Sequence, residues 1–448
     1  MSKYLFDDFA SVTPKAWKQK IQADLKGADY NEMLLWKTEE NITVKPFYTA
    51  EDRSCRKIDL PSKGFDICQS IYIDDEKIAN QIAVDSLKRG ATAIEFVADK
   101  VFDVKKVLSG VAVDAVKLYF KLNFIQVAFT KELSKQVNTN NCYFNIDIVG
   151  SLAKTGNWFS NLKKDFEGLA AISSNLANTI CVNVDVYQNA GATITQQLAY
   201  ALAHANEYLN YFGEGAAKQI HFNFSVSNNY FFEIAKLRAF RLLWSALLKE
   251  YNVEATAHIF TRPSLRNKTL YDYNVNMLRT TSECMSAVLG GSDTVSNIAY
   301  DEVFHKSNEF GERIARNQLL ILQQESYLIE AHCFANGSYY IESITEQLAE
   351  NALQIFKLIE KAGGFLKQLK EGVIQKKISE SAAKEQEAFN KGTLVLVGTN
   401  VLQNEKDKMK GDLELFPFVK TRIEKTLIQP IISKRLAEEI EQKRLKYE

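Results

Sequence analysis

The chain has 448 residues, of which 46% are hydrophobic and 25% charged, and its 55 Lys and Arg residues balance its 55 Asp and Glu residues. This composition is typical of a soluble globular protein, and the balanced charge gives no basic footprint for nucleic acid or an anionic membrane. No apolar run reaches the ~18–20 residues that are needed to span a bilayer.

Cysteine and histidine usage indicates a cytoplasmic protein without a metal site. The six cysteines are scattered, with no C-x-x-C pair, so we expect reduced thiols. The first residues, MSKYLFDDFA, are acidic and aromatic, unlike a signal peptide. No histidine pair has metal-ligand spacing, and neither H-E-x-x-H nor a P-loop motif occurs.

Residues 1–62 do not show the alternation of strands and helices that follows them. Thr13 and Pro14 predict the start of a helix that ends at Gly27, and extended pieces are expected around Pro46. Such an arm usually wraps a neighbouring body. That body is either the chain's own domain or a partner subunit.

From Phe65 onward, short β-rich runs alternate with amphipathic helices. The predicted strands cover residues 66–73, 91–97, 116–122, 143–149, 180–187, 220–226, 255–260 and 293–299. Residues 124–129 are either a further strand or the end of a connection. The alternation indicates a parallel sheet, and eight units fit an α/β (β/α)8 TIM barrel. A doubly wound open sheet is the alternative, although no G-x-G-x-x-G follows a strand.

Long helices are predicted after the barrel, over residues 343–362 and 364–390. We therefore expect three parts: an N-terminal arm (1–62), a barrel (63–400) and a C-terminal helical tail (401–448).

Residues 273–293 predict a loop, a helix that ends on Gly290-Gly291, and the start of a strand. We place Arg279, Thr280, Thr281 and Ser282 at the start of this helix, where free N–H groups and the helix dipole favour an anion. A capped surface helix explains the same pattern.

Polar residues follow two neighbouring strands, at the edge where such barrels collect their active sites. Asp185, Tyr187, Gln188 and Asn189 lie at the end of the fifth predicted strand, and Asn223 and Ser225 lie at the end of the next. Hydrogen-bonded loops and helix caps are the alternative explanation.

Glu233 and Lys236 are three residues apart on a predicted helix over residues 229–250. We expect an ion pair at the surface or between helices, of little energetic consequence.

Six segments, in order along the chain, carry a resemblance to one known family. They are LKGADYNEMLLWKTEENITVKPFYTAED (25–52), AGATITQQLAYALAHANEYL (190–209), NYFFEIAKLRAFRLLW (229–244), LRTTSECMSAVLGGSDTV (278–295), DEVFHKSNEFGERIARNQLLILQQES (301–326) and NGSYYIESITEQL (336–348). Together they resemble the methylmalonyl-CoA mutase family over residues 12 to 445. The resemblance implies a (β/α)8 barrel that threads a CoA ester along its axis, joined to a cobalamin-binding domain. It also implies a radical interconversion of methylmalonyl-CoA and succinyl-CoA with adenosylcobalamin.

Two departures from the family pattern decide what the resemblance implies for this chain. The sequence contains no D-x-H-x-x-G motif and stops where the cobalamin domain would be linked. In the catalytic members, a Tyr-His pair precedes the A-G-A that is Ala190 to Ala192 here. Counting back without a gap places Asp185 and Val186 at that pair, and a valine cannot donate a hydrogen bond to a thioester carbonyl.

The resemblance therefore implies no catalytic residue in this chain. Its vestigial substrate contacts would be Gln188, Asn223, Arg279 and Thr280. No cofactor is expected on this chain alone, and adenosylcobalamin is expected in the partner subunit.

The pattern resembles the small, non-catalytic subunit of a heterodimeric methylmalonyl-CoA mutase, which pairs with a large catalytic subunit and stabilises it. Without that partner, the chain could form a homodimer. Bulky strand residues would fill the substrate channel if they point inward, and the candidates are Phe96, Tyr119, Phe144, Phe222, Phe224 and Phe260. One alternative is an active barrel subunit that uses cobalamin from a separate protein. Another is an unrelated barrel enzyme that acts on a phosphorylated substrate.

Overall fold

The computed structural model describes residues 9–53, 56–61, 64–174, 176–331, 333–420 and 424–448. The described part of the arm contains helices α1 (Pro14–Asp24) and α2 (Tyr30–Leu34), followed by an antiparallel ladder of β1 (Trp36–Lys37) and β2 (Thr43–Val44). Thr13 caps α1 as predicted, because its hydroxyl accepts a hydrogen bond from the Ala16 N–H at 3.2 Å. Residues 1–8, 54, 55 and 62 of the predicted arm lie outside the described residues.

Eight parallel strands form the centre of the molecule. They are β3 (Asp66–Tyr72), β4 (Ala93–Ala98), β5 (Lys117–Leu122), β6 (Cys142–Asn145), β7 (Ile180–Asn183), β8 (Ile220–Val226), β9 (Ile259–Pro263) and β10 (Thr294–Val295). Their order in the sheet is β6-β5-β4-β3-β10-β9-β8-β7.

The two ends of this sheet approach each other. Backbone hydrogen bonds from Phe144 N to Asn178 O (2.8 Å) and from Cys181 N to Ile146 O (3.1 Å) join the β6 and β7 segments. The sheet is thus a nearly closed barrel. The predicted (β/α)8 fold is confirmed, and the open doubly wound sheet is wrong.

Helices surround the barrel and continue after it. Around the barrel are α3 (Glu76–Lys88), α4 (Val104–Val107), α5 (Val127–Ser134), α6 (Ile148–Thr155), α7 (Leu162–Ser173), α8 (Asp185–Asn189), α9 (Ile194–Phe212), α10 (Tyr230–Glu250), α11 (Val275–Leu289) and α12 (Glu309–Leu320). After it come α13 (Tyr339–Lys361), α14 (Phe365–Lys370), α15 (Val373–Asn390) and α16 (Glu438–Tyr447). None of the described helices is long and apolar enough to cross a membrane.

Several predicted boundaries are wrong. β6 ends at Asn145 because Asp147 caps α6, accepting a hydrogen bond from the Gly150 N–H at 2.7 Å. Residues 124–129 form no strand, since α5 begins at Val127. The predicted helix over 364–390 is broken at Gly372, which has a positive φ of 76°.

Candidate functional site

Strand alternation divides the bulky barrel residues into two sets. Phe96, Phe144, Phe222 and Phe224 belong to the main hydrophobic core, which includes the helices. Phe222, for example, meets the Phe240 ring of α10 edge-on, with 4.5 Å between ring centroids. These four residues therefore face the helices and do not fill the channel.

Tyr119 and Phe260, the other two predicted residues, lie inside the barrel. The Tyr119 hydroxyl of β5 is 2.8 Å from Nε2 of His258, which precedes β9, and 2.6 Å from the Thr294 hydroxyl of β10. The Phe260 ring of β9 meets the Tyr119 ring edge-on at 4.9 Å. Three strands separate β5 from β9 in either direction around the barrel, so these contacts cross its axis.

Two further rings complete this layer, and the sequence did not single them out for it. Tyr143 of β6 stacks on His258 at 4.0 Å and on Tyr119 at 5.0 Å. His221 of β8 meets Tyr143 edge-on at 5.4 Å. We call Tyr119, Tyr143, His221, His258 and Phe260 the aromatic layer. It fills the interior near the amino ends of β9 and β10.

A second bridge crosses the barrel on the carboxyl side of this layer. The Arg262 guanidinium, near the end of β9, donates to the Glu95 carboxylate of β4. Ser70 donates a further hydrogen bond to the same carboxylate at 2.7 Å. Glu95 is only 2% exposed. Burial alone would raise its pKa, but Arg262, Lys121 and the Ser70 hydroxyl outweigh that effect and lower it.

The carboxyl ends of β4, β5, β6 and β7 line a polar cavity of about 480 Å³. Asp185 and Val186 line it together with Asn183 of β7. The Asp185 Oδ1 atom is buried and has no hydrogen-bond partner among the described residues. Asn223 lies beside this group, since its amide donates to Asn183 Oδ1 at 2.9 Å. Three of the residues that the sequence selected are thus brought together at one end of the barrel.

A buried network holds the end of β7 in place. The Tyr187 hydroxyl is 2.9 Å from His204 Nδ1, and His204 Nε2 is 3.0 Å from Asp147 Oδ1. Asp147 Oδ2 accepts hydrogen bonds from Asn183 N (2.8 Å) and Nδ2 (3.0 Å). Burial would raise the pKa of Asp147, but His204 and the backbone N–H groups outweigh it and lower the pKa.

The remaining predicted site residues lie elsewhere. Gln188 is buried and lines a separate cleft beside the arm. Arg279 donates to Asn276 Oδ1 at 2.7 Å and to the Val397 carbonyl at 2.7 Å, so it fastens the segment after α15 to α11. The Thr280 hydroxyl donates to the Met277 carbonyl at 3.2 Å.

The predicted anion site at Arg279 to Ser282 is wrong in its geometry. The helix begins at Val275, so these residues lie beyond its first turn, where the N–H groups bond within the helix. Their hydroxyl groups donate to carbonyls of the same helix.

The Glu233–Lys236 pair is not an inconsequential surface pair either. Both residues are at most 1% exposed, and their side chains form an ion pair. Lys236 Nζ also donates to the Ser225 carbonyl at 2.6 Å and to Gln197 Oε1 at 3.1 Å. The pair is buried because α10 packs this face against β8 and α9, which spacing along one helix does not reveal.

The arm packs on its own barrel through a buried carboxylate. Glu40 accepts hydrogen bonds from the backbone N–H groups of Ile194 (2.6 Å) and Thr195 (2.7 Å) at the start of α9. Several apolar side chains of the arm remain exposed, and we call four of them, each at least 49% exposed, the arm patch: Phe9, Val12, Trp17 and Met33.

The residues at the carboxyl end do not fit a cobalamin that needs an axial histidine. Among the described histidines, His204, His221 and His258 lie in the interior. Both ring nitrogens of His305 already have partners, namely Asp301 Oδ2 and the Asp412 carbonyl, each at 3.0 Å. No group of three metal-binding side chains occurs in the described part of the chain.

Comparison with known proteins identifies the family. Residues 75–444 match the family model for methylmalonyl-CoA mutase. The chain is 33% identical to the methylmalonyl-CoA mutase small subunit of Porphyromonas gingivalis over 439 residues, which cover 89% of this chain and 71% of that protein. The small subunit of Streptomyces virginiae is 28% identical over 417 residues, with coverages of 83% and 67%.

The large subunit of the Streptomyces virginiae enzyme is similar over a shorter stretch. It is 32% identical over 241 residues, which cover 52% of this chain and 33% of the large subunit. The chain thus spans about a third of that relative and about two thirds of the small subunits. The family match and the similarity to the small subunits establish that the chain belongs to the methylmalonyl-CoA mutase family.

Proposed function

We propose that this chain is the small, non-catalytic subunit of an adenosylcobalamin-dependent methylmalonyl-CoA mutase. In this proposal the large subunit isomerises methylmalonyl-CoA and succinyl-CoA, and the small subunit stabilises the heterodimer. The observation that carries the proposal is the filled barrel. A CoA ester on the barrel axis would have to pass the aromatic layer and the Glu95–Arg262 bridge, and both cross the interior.

The strand-end residues support the absence of catalysis. At the place of the family's Tyr-His pair stand Asp185 and Val186. The hydrocarbon side chain of Val186 cannot donate a hydrogen bond to a thioester carbonyl. A cofactor performs the bond chemistry in radical enzymes while the protein positions the substrate, so a chain without those donors contributes little to turnover. Adenosylcobalamin and the substrate site are therefore assigned to the large subunit.

The arm supports a partner role. Its patch of exposed apolar side chains is the kind of surface that permanent subunit interfaces bury. Relatives bearing the names small subunit and large subunit support a heterodimer in the same sense. We place the complex in the cytoplasm.

Titration of the isolated chain with succinyl-CoA in a calorimeter tests the filled barrel. We expect no saturable binding up to roughly 1 mM, the range of a weak non-specific contact. Micromolar affinity would contradict the proposal. A cobalamin-loaded large subunit serves as the positive control.

The subunit role is tested by co-purification and activity. We expect a large subunit to co-purify with this chain and to lose activity faster without it. Met33→Asp in the arm patch should weaken the complex, whereas Glu32→Ala on the same helix should not. Turnover by this chain with only a separate cobalamin-binding protein would favour the active-subunit alternative instead.

A further inference from the structure

A cleft of about 610 Å³ lies between the arm and the barrel, away from the barrel axis. β1 and the residues after it (36–40) form one side, α8 and the loops after α8 and β8 form the floor, and α15 closes the other side. This volume is typical of small-molecule sites, and the carboxyl-side loops of such barrels are where ligands bind.

The floor contains a buried amide oxygen that has no hydrogen-bond partner among the described residues. Gln188 is 5% exposed, and its Oε1 atom is buried and accepts no hydrogen bond from the described residues. Its Nε2 atom donates none to them either. Buried polar groups in folded proteins nearly always have a partner, so this amide is available for a ligand.

The buried charges around the cleft already have partners, whereas Lys37 and Glu39, which also line it, are exposed to solvent. Arg266 pairs with Glu385 at 2.5 Å, and the buried Glu233 pairs with Lys236 beneath the floor. Glu40 is occupied by the start of α9. The buried part of the cleft therefore favours a neutral ligand, because an ion would find no unpaired countercharge there.

One wall of the cleft is aromatic. Trp36 of β1 is 50% exposed, and its ring is held edge-on against Phe232 at 5.7 Å. Ala192, Ile194 and Leu394 add apolar surface. A flat ring can pack on an indole held in this way.

We propose that this cleft binds a neutral, planar ligand with an N–H donor beside an acceptor, such as an aromatic carboxamide or an aminopurine. The donor pairs with Gln188 Oε1 and the acceptor with Gln188 Nε2, as a glutamine amide pairs with the edge of adenine. The ring packs on Trp36. This site does not depend on the proposed subunit role, since its residues lie outside the barrel interior.

Calorimetric titration of the full chain with nicotinamide, adenine and methyl nicotinate tests the site. Methyl nicotinate has the shape of nicotinamide but lacks its N–H donor. We expect saturable binding of nicotinamide or adenine, and binding of the ester at least about tenfold weaker, the effect of one lost hydrogen bond. Gln188→Met should reduce nicotinamide affinity by about tenfold or more and ester affinity by less, because the ester loses only the hydrogen bond that its carbonyl accepts from Gln188 Nε2.

Further variants separate a direct contact from misfolding. Trp36→Ala should weaken all three ligands. Gln188→Glu preserves the shape but removes the donor, and should also weaken nicotinamide binding. Gln136→Met, outside the cleft, should bind like the wild type, and thermal unfolding confirms that each variant is folded.

Three outcomes would overturn the proposal. They are the absence of nicotinamide and adenine binding at millimolar concentration, equal affinity for amide and ester, and an unchanged affinity of a folded Gln188→Met variant. Each would mean that water alone satisfies the Gln188 amide.

Discussion

Replacing Arg262 by methionine would leave the Glu95 carboxylate inside the barrel without its counter-ion. Removing one partner of a buried ion pair destabilises a protein by about 3–5 kcal/mol, because an uncompensated charge remains buried. Glu95 would retain the Ser70 hydrogen bond and the attraction of Lys121, and the Arg262 side chain is itself 25% exposed, so water can reach the vacated space. We therefore expect the lower end of this range, about 3 kcal/mol at neutral pH.

The pH dependence of this loss follows from the lowered pKa of Glu95. A carboxyl group whose pKa is lower in the folded chain stabilises the fold above its unfolded value, here 4.5. That contribution is lost as the pH falls through the lower, folded value. The difference in free energy of unfolding between the wild type and Arg262→Met should therefore be largest above pH 5 and should become smaller below pH 4.5.

Urea denaturation followed by circular dichroism at pH 7 and pH 4 measures both effects. The double variant Glu95→Gln/Arg262→Met, which removes both charges of the pair, should recover most of the lost stability. The cycle of single and double variants isolates the interaction between the two side chains. An Arg262→Met chain as stable as the wild type at pH 7 would contradict the expected cost of leaving Glu95 unpaired. A double variant no more stable than Arg262→Met would contradict it too.

Three further predictions concern the aromatic layer and the arm. Tyr119→Phe removes two cross-barrel hydrogen bonds and should lower the free energy of unfolding, measured with urea, by about 1–2 kcal/mol. Tyr143→Phe should lower it much less, because the Tyr143 hydroxyl has no hydrogen-bond partner among the described residues. Equal losses in the two variants would contradict this prediction. Glu40→Ala should speed hydrogen exchange in the arm and at the start of α9 and lower the free energy of unfolding by about 2 kcal/mol. Glu39→Ala, on the exposed side, should have neither effect. Equal exchange rates in the two variants would show that other contacts hold the arm. Burial lowers the pKa of His221 to about 3. As the pH drops from 6.5 toward 3, the unfolded chain therefore protonates this imidazole before the folded chain does, and the free energy of unfolding should fall. His221→Phe should flatten that decline, and an unchanged pH profile would contradict a buried neutral imidazole.

Local sequence patterns were sufficient for the barrel but not for the ends of its strands. Alternating β-rich and helical runs predicted eight units because each element must bury an apolar face. At β6, the run YFNIDIV continues directly into α6, and Ile148 and Val149 are fully buried there. Burial requires the same residue types in either conformation, so the pattern could not place the boundary. The Asp147 cap decides it.

The alternation of side chains along a strand also could not show which face of the strand lines the barrel interior. Both faces of these strands are buried, one under helices and one around the axis, so the residues on both faces are mostly apolar. Phe96 and Phe222 were therefore indistinguishable from Tyr119 and Phe260 in the sequence. A lone charge such as Glu95 within an apolar strand was the available signal for the inner face.

The resemblance to the family and the order of the elements could be predicted from the sequence, because both depend on neighbours along the chain. The side chains that fill the barrel could not be predicted, because they meet only in the tertiary structure. Glu95 and Arg262 are 167 residues apart, and Tyr119 and His258 are 139 apart. Such contacts form when the sheet closes on itself, and the energy that holds them comes from burial that no local pattern encodes.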